Sequence, residues 1–525
     1  MTRKSLKIIM LLLLFCAFIS GCGNNGQKQD LQAINIALHQ DPQKLDPYYA
    51  DTDVESQVFQ SIFDKLVNLD SQGNIIPELA ESWEISADGK IYTFHLRKDV
   101  TFHDGTTFNA KAVKFNLDRY QEKDSERYNE LKDVIRVDIV DEYTVRVVLR
   151  KPFTPFLHIL TDKAGMMCSP SALNRQGVKF MNAPVGTGPY IFKTRVRGTS
   201  VTLIANPHYW RAGQPAADNL TYKVLPNEKT ALVNLRSGMI DFSDSFPVRE
   251  LANYVNHEKI TAINSPGMAY TGLALNNMHK YFHDSRVRQA MELLVDRQLL
   301  VEKVLDKGAT AGRTPFYVYS VAYNKDIDKP TLVDVAAAQQ LLSSAGFTDG
   351  FTLTLDIDTA PQSLEIAKEL QMMLQQGNIK VVIEKQDITA LTRRMERGEF
   401  QAAIVNGNGY MDPDQILYER YHTNGSLNYM RYSNQQVDAM LETARSLPQS
   451  EKRNVLYQDI MYQILSDHPV IYLYHKHNVY GANKRLKGIN NLADGMITVR
   501  CCHFFNSPLS VTYHKKSTPY VDAKI

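Results

Sequence analysis

The sequence predicts an α/β protein with a strand-rich first half, and three observations carry that prediction. With 525 residues, 44% of them hydrophobic, the chain can bury a large core and is expected to divide into two or three domains. Between residues 333 and 406 the apolar pattern switches repeatedly between helical and two-residue periods, the mark of helices alternating with strands around a largely parallel sheet. Between residues 91 and 150 the two-residue period dominates, as in antiparallel strands.

The elements follow in order. Residues 91–97 alternate like a half-buried strand. Asn109 is the N-cap of a helix running to Arg119. Residues 134–140 and 143–150 form a hairpin turning at Asp141 and Glu142. Residues 229–237 make a short helix closed by Gly238. A single longer helix is predicted over 285–307, with Val287, Ala290, Met291, Leu294, Val301, Val304 and Leu305 near one face and Gly308 as its stop. Helices at 333–345, 363–376 and 388–397 then alternate with strands at 351–358, 379–385 and 400–406. Ligands of such sheets lie beyond the carboxyl ends of the strands, which points to the loop after Asn406.

The first residues carry a separate message. Lys4 and Lys7 precede an apolar run over 8–19, which ends in Ile19-Ser20-Gly21-Cys22 and resembles a lipobox. That run is too short to span a bilayer stably, so residues 1–21 are expected to be removed and Cys22 to become the acylated first residue. At about 0.8 kcal/mol per buried methylene, two or three acyl chains hold a soluble domain at a membrane surface. Residues 22–33 then read as a lipidated tether.

Composition narrows the function. Net charge is +2, from 59 basic and 57 acidic residues, which gives no electrostatic case for nucleic acid. Tyrosine is frequent, at 27 against 2 tryptophans, and suits either a polar cleft or the interiors of strands. Of five cysteines, Cys16 and Cys22 belong to the signal and the lipid site. Cys168, Cys501 and Cys502 leave an odd count, so no disulfide framework follows. Cys501-Cys502-His503 lacks the spaced partner pair of a zinc site, and no metal or other cofactor is expected.

No catalytic constellation stands out: there is no nucleophile elbow, no metalloprotease helix motif and no phosphate-loop lysine. Gly186-Thr-Gly188-Pro189 reads as a structural turn, because Pro189 removes an amide donor and a strand follows. His103-Asp104 has no third partner, and a structural or surface role is expected. Asp412-Pro413-Asp414 places two carboxylates beside a turn at a strand end, and is read as a binding loop.

A resemblance sharpens this reading. The run Ile76-Pro-Glu-Leu-Ala-Glu-Ser-Trp83, continuing through Asp88-Gly89, Phe94, Phe102-His103-Asp104-Gly105 and Phe108, resembles the peptide- and nickel-type solute-binding proteins of ABC importers. Pro184 to Tyr190, Asn206 to Trp210, Ser237 to Asp241, Arg286 to Ala290 and Asp494 to Ile497 match in family order. The resemblance implies a two-lobed type II periplasmic-binding-protein fold of three domains. Domain one would comprise 34–68, 185–275 and, with an atypical C-terminal tail, 486–525. Domain two would be a strand-rich insert over 69–184, and domain three the α/β region over 276–485. It also implies an exported receptor, no enzyme, acting as a monomer with ABC permease subunits and facing outside the cytoplasm. An exported hydrolase is the remote alternative.

The resemblance leaves the solute open. The aspartate that holds the ammonium of peptides in relatives aligns with Gly409, and the histidine of nickel-chelate binders aligns with Asp414. A peptide ligand would need another acid, and Asp51, Asp53 and Asp412 are the candidates, with Thr52 between the first two. Asn406, Asn408, Gly409 and Tyr410 would supply neutral contacts. Peptide-like solutes are the first expectation and nickel chelates the alternative. Residues 501–525 continue past the family's usual end, as a surface extension or an altered reading frame.

Overall fold

A computed structural model describes residues 32–491, 496–499 and 502–504. The signal segment, Cys22, the tether to residue 31, Asp494, Cys501 and the tail from 505 lie outside the described residues. Among the described residues no helix is long and apolar enough to cross a membrane.

Two long strands, Ile260–Leu275 and Val470–Asn483, pair antiparallel and run through both lobes of the molecule. Their register shifts between Pro266 and Tyr270. Before the shift they lie beside Phe242–Ser243, Ala33–Leu38 and Asn219–Val224; after it, Ile260–Leu275 pairs with Ala402–Asn408. The chain thus passes between lobes inside these strands, whereas the sequence-derived boundaries lie at their ends. One 11-stranded sheet results.

The expectation of a largely parallel sheet needs correction. Phe351–Ile357, Ile379–Lys385 and Ala402–Asn408 are parallel, but the next strand, Ile260–Leu275, joins them antiparallel. It arrives directly from the other lobe, with no crossover helix to reverse its direction. The helices Pro361–Gln375 and Ile388–Arg397 form where expected, the second closed by Gly398 at φ +72°. Apolar cores fill both faces, around Leu353, Leu355 and Leu370 on one side and Leu417, Tyr457 and Ile464 on the other.

The single helix predicted over 285–307 is two, Ser285–Leu294 and Arg297–Lys303. Val295 is extended, and Asp296 caps the second helix by accepting from the Leu299 N–H at 2.9 Å. An aspartate competes for backbone donors in this way whenever tertiary structure rewards the break. Here Arg297 turns inward to grip Glu292 at 2.7 and 2.8 Å, the two side chains 1% and 5% exposed.

The insert forms a four-stranded antiparallel sheet, ordered Ala80–Ile85, Ile91–Leu96, Thr144–Leu149, Val134–Asp141. The helix Ala110–Tyr120, capped by Asn109, packs on it over Val113 and Leu117. Tyr92 and Tyr222 are buried in strands and Tyr120 in a helix, while Tyr410 and Tyr480 face the cavity described below.

The neutral His103 ring is held in one tautomer. A carbonyl only accepts and an amide N–H only donates, so Nε2–H donates to Gly188 O at 2.9 Å while Nδ1 accepts from the Gly186 N–H at 3.3 Å. Burial of the ring lowers its pKa to about 4. A depressed histidine contributes stability that is present above its unfolded pKa, near 6.5, and is lost as pH falls towards 4. The expected loss is about 3 kcal/mol. Melting curves of wild type and His103→Gln should converge across that window, and a constant gap would refute the assignment.

Candidate functional site

A cavity of about 350 Å³ lies between the lobes. One wall comes from the loop and helix start at residues 51–57, and its position is set by one buried acid. Glu55, 1% exposed, accepts from the backbone N–H groups of Lys44, Asp51 and Thr52 at 2.6, 3.1 and 3.2 Å. Thr52 returns a capping bond, accepting from the Glu55 N–H through Oγ1 at 3.3 Å. Thr52 is therefore engaged in the cap, and Asp51 and Asp53 project into the cavity wall. The Asp51 side chain is 54% exposed, with Lys44 Nζ at 3.7 Å.

The facing wall is the end of the strand Ala402–Asn408, where Asn408, Gly409, Tyr410 and Met411 line the cavity, beyond the carboxyl end of the strand. The Gly409 N–H donates to Met268 O at 2.7 Å, and a Cβ there would lie 3.0 Å from that oxygen. Asn406 faces elsewhere, its Oδ1 accepting from the Thr271 hydroxyl at 2.7 Å.

Asp412 does not reach the cavity, contrary to the reading of the Asp412-Pro413-Asp414 turn as a binding loop. Its carboxylate is fully buried and accepts from Arg453 Nη1 and Nη2 at 2.9 and 2.8 Å. Asp414 is held likewise by Arg445 at 2.8 Å and by the Tyr457 hydroxyl at 3.0 Å. The arginines stand on the helices Gln435–Ser446 and Glu451–Asp467, too distant in sequence for the turn alone to reveal them. Arg453 outweighs burial and holds Asp412 below the usual carboxylate range.

Several cavity residues escaped the sequence. His39 and Asp244 follow the neighbouring parallel strands Ala33–Leu38 and Phe242–Ser243, so the strand-end rule, applied to this lobe too, points to them. Asp244 lies 2.8 Å from His39 Nδ1 and raises its pKa. Arg127, Glu130, His158, Asp162 and Lys163 come from the insert, in segments that carry no strong periodicity.

The charged side chains form two sets. Asp51, Asp53 and Asp244 are acidic, with His39 beside them. Arg127, Lys163, Glu130 and Asp162 make a mixed set in which the two cations are buried and the Asp162 side chain is 57% exposed. Arg127 Nη1 lies 2.9 Å from Glu130 Oε1, and burial pushes the Glu130 carboxyl up to about 7, although 30% of its side chain still meets water. Burial also acts to raise Asp162, although 57% of its side chain meets water, and Lys163, Arg127 and Lys65 hold it below its ordinary value. Among the described residues no group of three His, Cys, Asp or Glu side chains is placed to hold a metal ion.

Comparison with known proteins agrees with this architecture. A model of the bacterial extracellular solute-binding proteins, family 5, matches residues 74–428. The chain is 30% identical over 478 residues to the glutathione-binding protein GsiB of Pectobacterium atrosepticum, covering 86% of this chain and 90% of that protein. HbpA2 from Haemophilus parasuis superposes with a TM-score of 0.82 at 25% identity, covering 90% of this chain and 99% of HbpA2. The ABC transporter-associated periplasmic binding protein DppA from Helicobacter pylori, solved with the peptide STSA, gives 0.76 at 25% identity, covering 90% and 98%. The two lobes joined by paired strands are thus the type II periplasmic-binding-protein fold, and the chain belongs to family 5 of the bacterial extracellular solute-binding proteins, the peptide- and nickel-type group.

Proposed function

We propose that this protein is the extracytoplasmic receptor of an ABC importer and captures a short peptide or peptide-like zwitterion between its lobes. The observation that carries the reading is the cavity's charge: an acidic set that suits an ammonium and a separate set containing buried cations, within one enclosure. A volume of about 350 Å³ sits at the small end of ligand pockets, roughly 300–1,000 Å³, and favours a solute of two or three residues. The names of two relatives, one for glutathione and one solved with a peptide, support the same class. Binding shifts an open-to-closed equilibrium of the lobes, and the closed form is what the permease subunits receive. Acylated Cys22 and the tether at 22–33 keep the protein, a monomer, at the membrane surface.

The test is thermal unfolding of a soluble version starting at Gly23, with glutathione, with di- and tripeptides, and with nickel plus histidine. Ligand at about a thousand times its dissociation constant stabilises by roughly 4 kcal/mol. A response to nickel-histidine alone would overturn the peptide reading. Asp51 and Asp53 are the ammonium partners in this proposal. Their joint replacement by asparagine should weaken a free peptide by about tenfold to a hundredfold and spare its N-acetylated form. Equal losses for both forms would remove that role.

A further inference from the structure

We infer that the insert's side of the cavity contains an anion subsite, built from Arg127 and Lys163 with Lys65 behind them, that receives a carboxylate of the solute. The inference rests on the cavity being the solute site and deepens it by naming what this wall recognises.

Three cations are buried together here, with Arg127, Lys163 and Lys65 exposed by 7%, 6% and 1%. The backbone brings them to one place. Lys65 forms a bridge with Met166, and the Leu66 N–H donates to Gly165 O at 2.9 Å, which sets Lys65 against the turn that carries Asp162 and Lys163. Their partners do not satisfy them. Lys163 Nζ is 3.8 Å from Asp162 Oδ2, beyond a hydrogen bond. Arg127 donates through Nη2 to Ala50 O at 3.3 Å and pairs through Nη1 with Glu130, but its buried Nε has no hydrogen-bond partner. Lys65 Nζ, equally buried, has none either.

The charges leave a surplus. Three cations face Glu130 and Asp162, with the exposed Glu126 beyond Glu130, and Glu130 is only partly ionised at neutral pH because burial raises its pKa. A buried, unpaired cation is costly unless a partner arrives, and a deficit of about one negative charge fits a carboxylate better than a dianion. The planar guanidinium of Arg127 offers the directional donors that a carboxylate takes. Together with Asp51 and Asp53, the subsite would orient a zwitterion one way round in the cavity.

The experiment uses the soluble protein from Gly23 and two pairs of probes: N-acetylglycine against N-acetylglycinamide at millimolar concentration, and glutathione against its glycine-amide analogue. Wild type should be stabilised by N-acetylglycine and not by the amide, and glutathione should bind at least tenfold more tightly than its amide. Lys163→Met should abolish the acid-over-amide preference and Lys163→Arg should keep it; Arg127→Met serves where a Lys163 variant fails to fold. Equal response to acid and amide, or an unchanged preference in Lys163→Met, would overturn the subsite. Binding of N-acetylglycine without binding of any peptide or glutathione would leave the subsite standing and sink the peptide reading. Peptides bound equally as acids and amides would do the reverse.

Discussion

Replacing Arg453 by methionine should destabilise the protein by about 3–5 kcal/mol, the cost of stripping a buried carboxylate of its partner. Asp412 and Arg453 are both fully buried, and the guanidinium accounts for both carboxylate oxygens. Arg453 also donates to Ala444 O at 3.0 Å, tying the helix Glu451–Asp467 to the end of Gln435–Ser446. His158 of the insert reaches the same carboxylate at 3.5 Å, so the pair also underlies a contact between the lobes. Denaturant unfolding measures the loss. The same experiment separates two roles for Asp412. As a structural acid, Asp412→Asn lowers stability and leaves intrinsic affinity for the solute nearly unchanged. As a solute-binding acid it would lower affinity at constant stability, and that result would refute the structural role.

Gly186→Ala should cost about 3 kcal/mol, the upper end of the usual overpacking range, and should weaken solute binding as well. A Cβ at this position would fall 2.2 Å from Ile62 O, a backbone atom, and 2.5 Å from the ring of Phe63, which is 1% exposed. Ile62 O accepts from the Gly188 N–H at 2.9 Å, so the turn and the end of the helix Asp53–Ile62 are one packed unit. Pushing the helix at this end moves its other end, which carries Asp51 and Asp53. The turn is further anchored by Asp64, which accepts from Thr187, Tyr209 and Trp210 at 3.1, 2.9 and 2.9 Å. A melting temperature close to wild type would show that the turn can relax, and would remove the steric account.

Much of the architecture was legible because its signals are local. Asn109, Gly238 and Gly398 end or begin helices through bonds within a few residues, and the two-residue alternation of 91–97 needs only one buried face. The order of motifs from Trp83 to Trp210 was equally visible, although the sequence could not say that Trp210 and Thr187 meet at Asp64. The strand-end rule led to Asn408, Gly409 and Tyr410, since it concerns topology rather than side-chain contacts.

The errors share one cause. Asp412 in its turn reads as a solvated or binding acid, and only the packing of a helix 41 residues further on supplies Arg453. Asp296 ends a helix early because Arg297 gains a buried partner, which no propensity records. The cations of the insert, Arg127 and Lys163, belong to no local pattern and become a set only where the insert faces the cavity. The sequence by itself therefore determined the elements, their order and the family. Which charges are spent in pairs and which are left for a solute was decided by tertiary structure alone, because the energy of a buried charge depends on neighbours brought from distant parts of the chain.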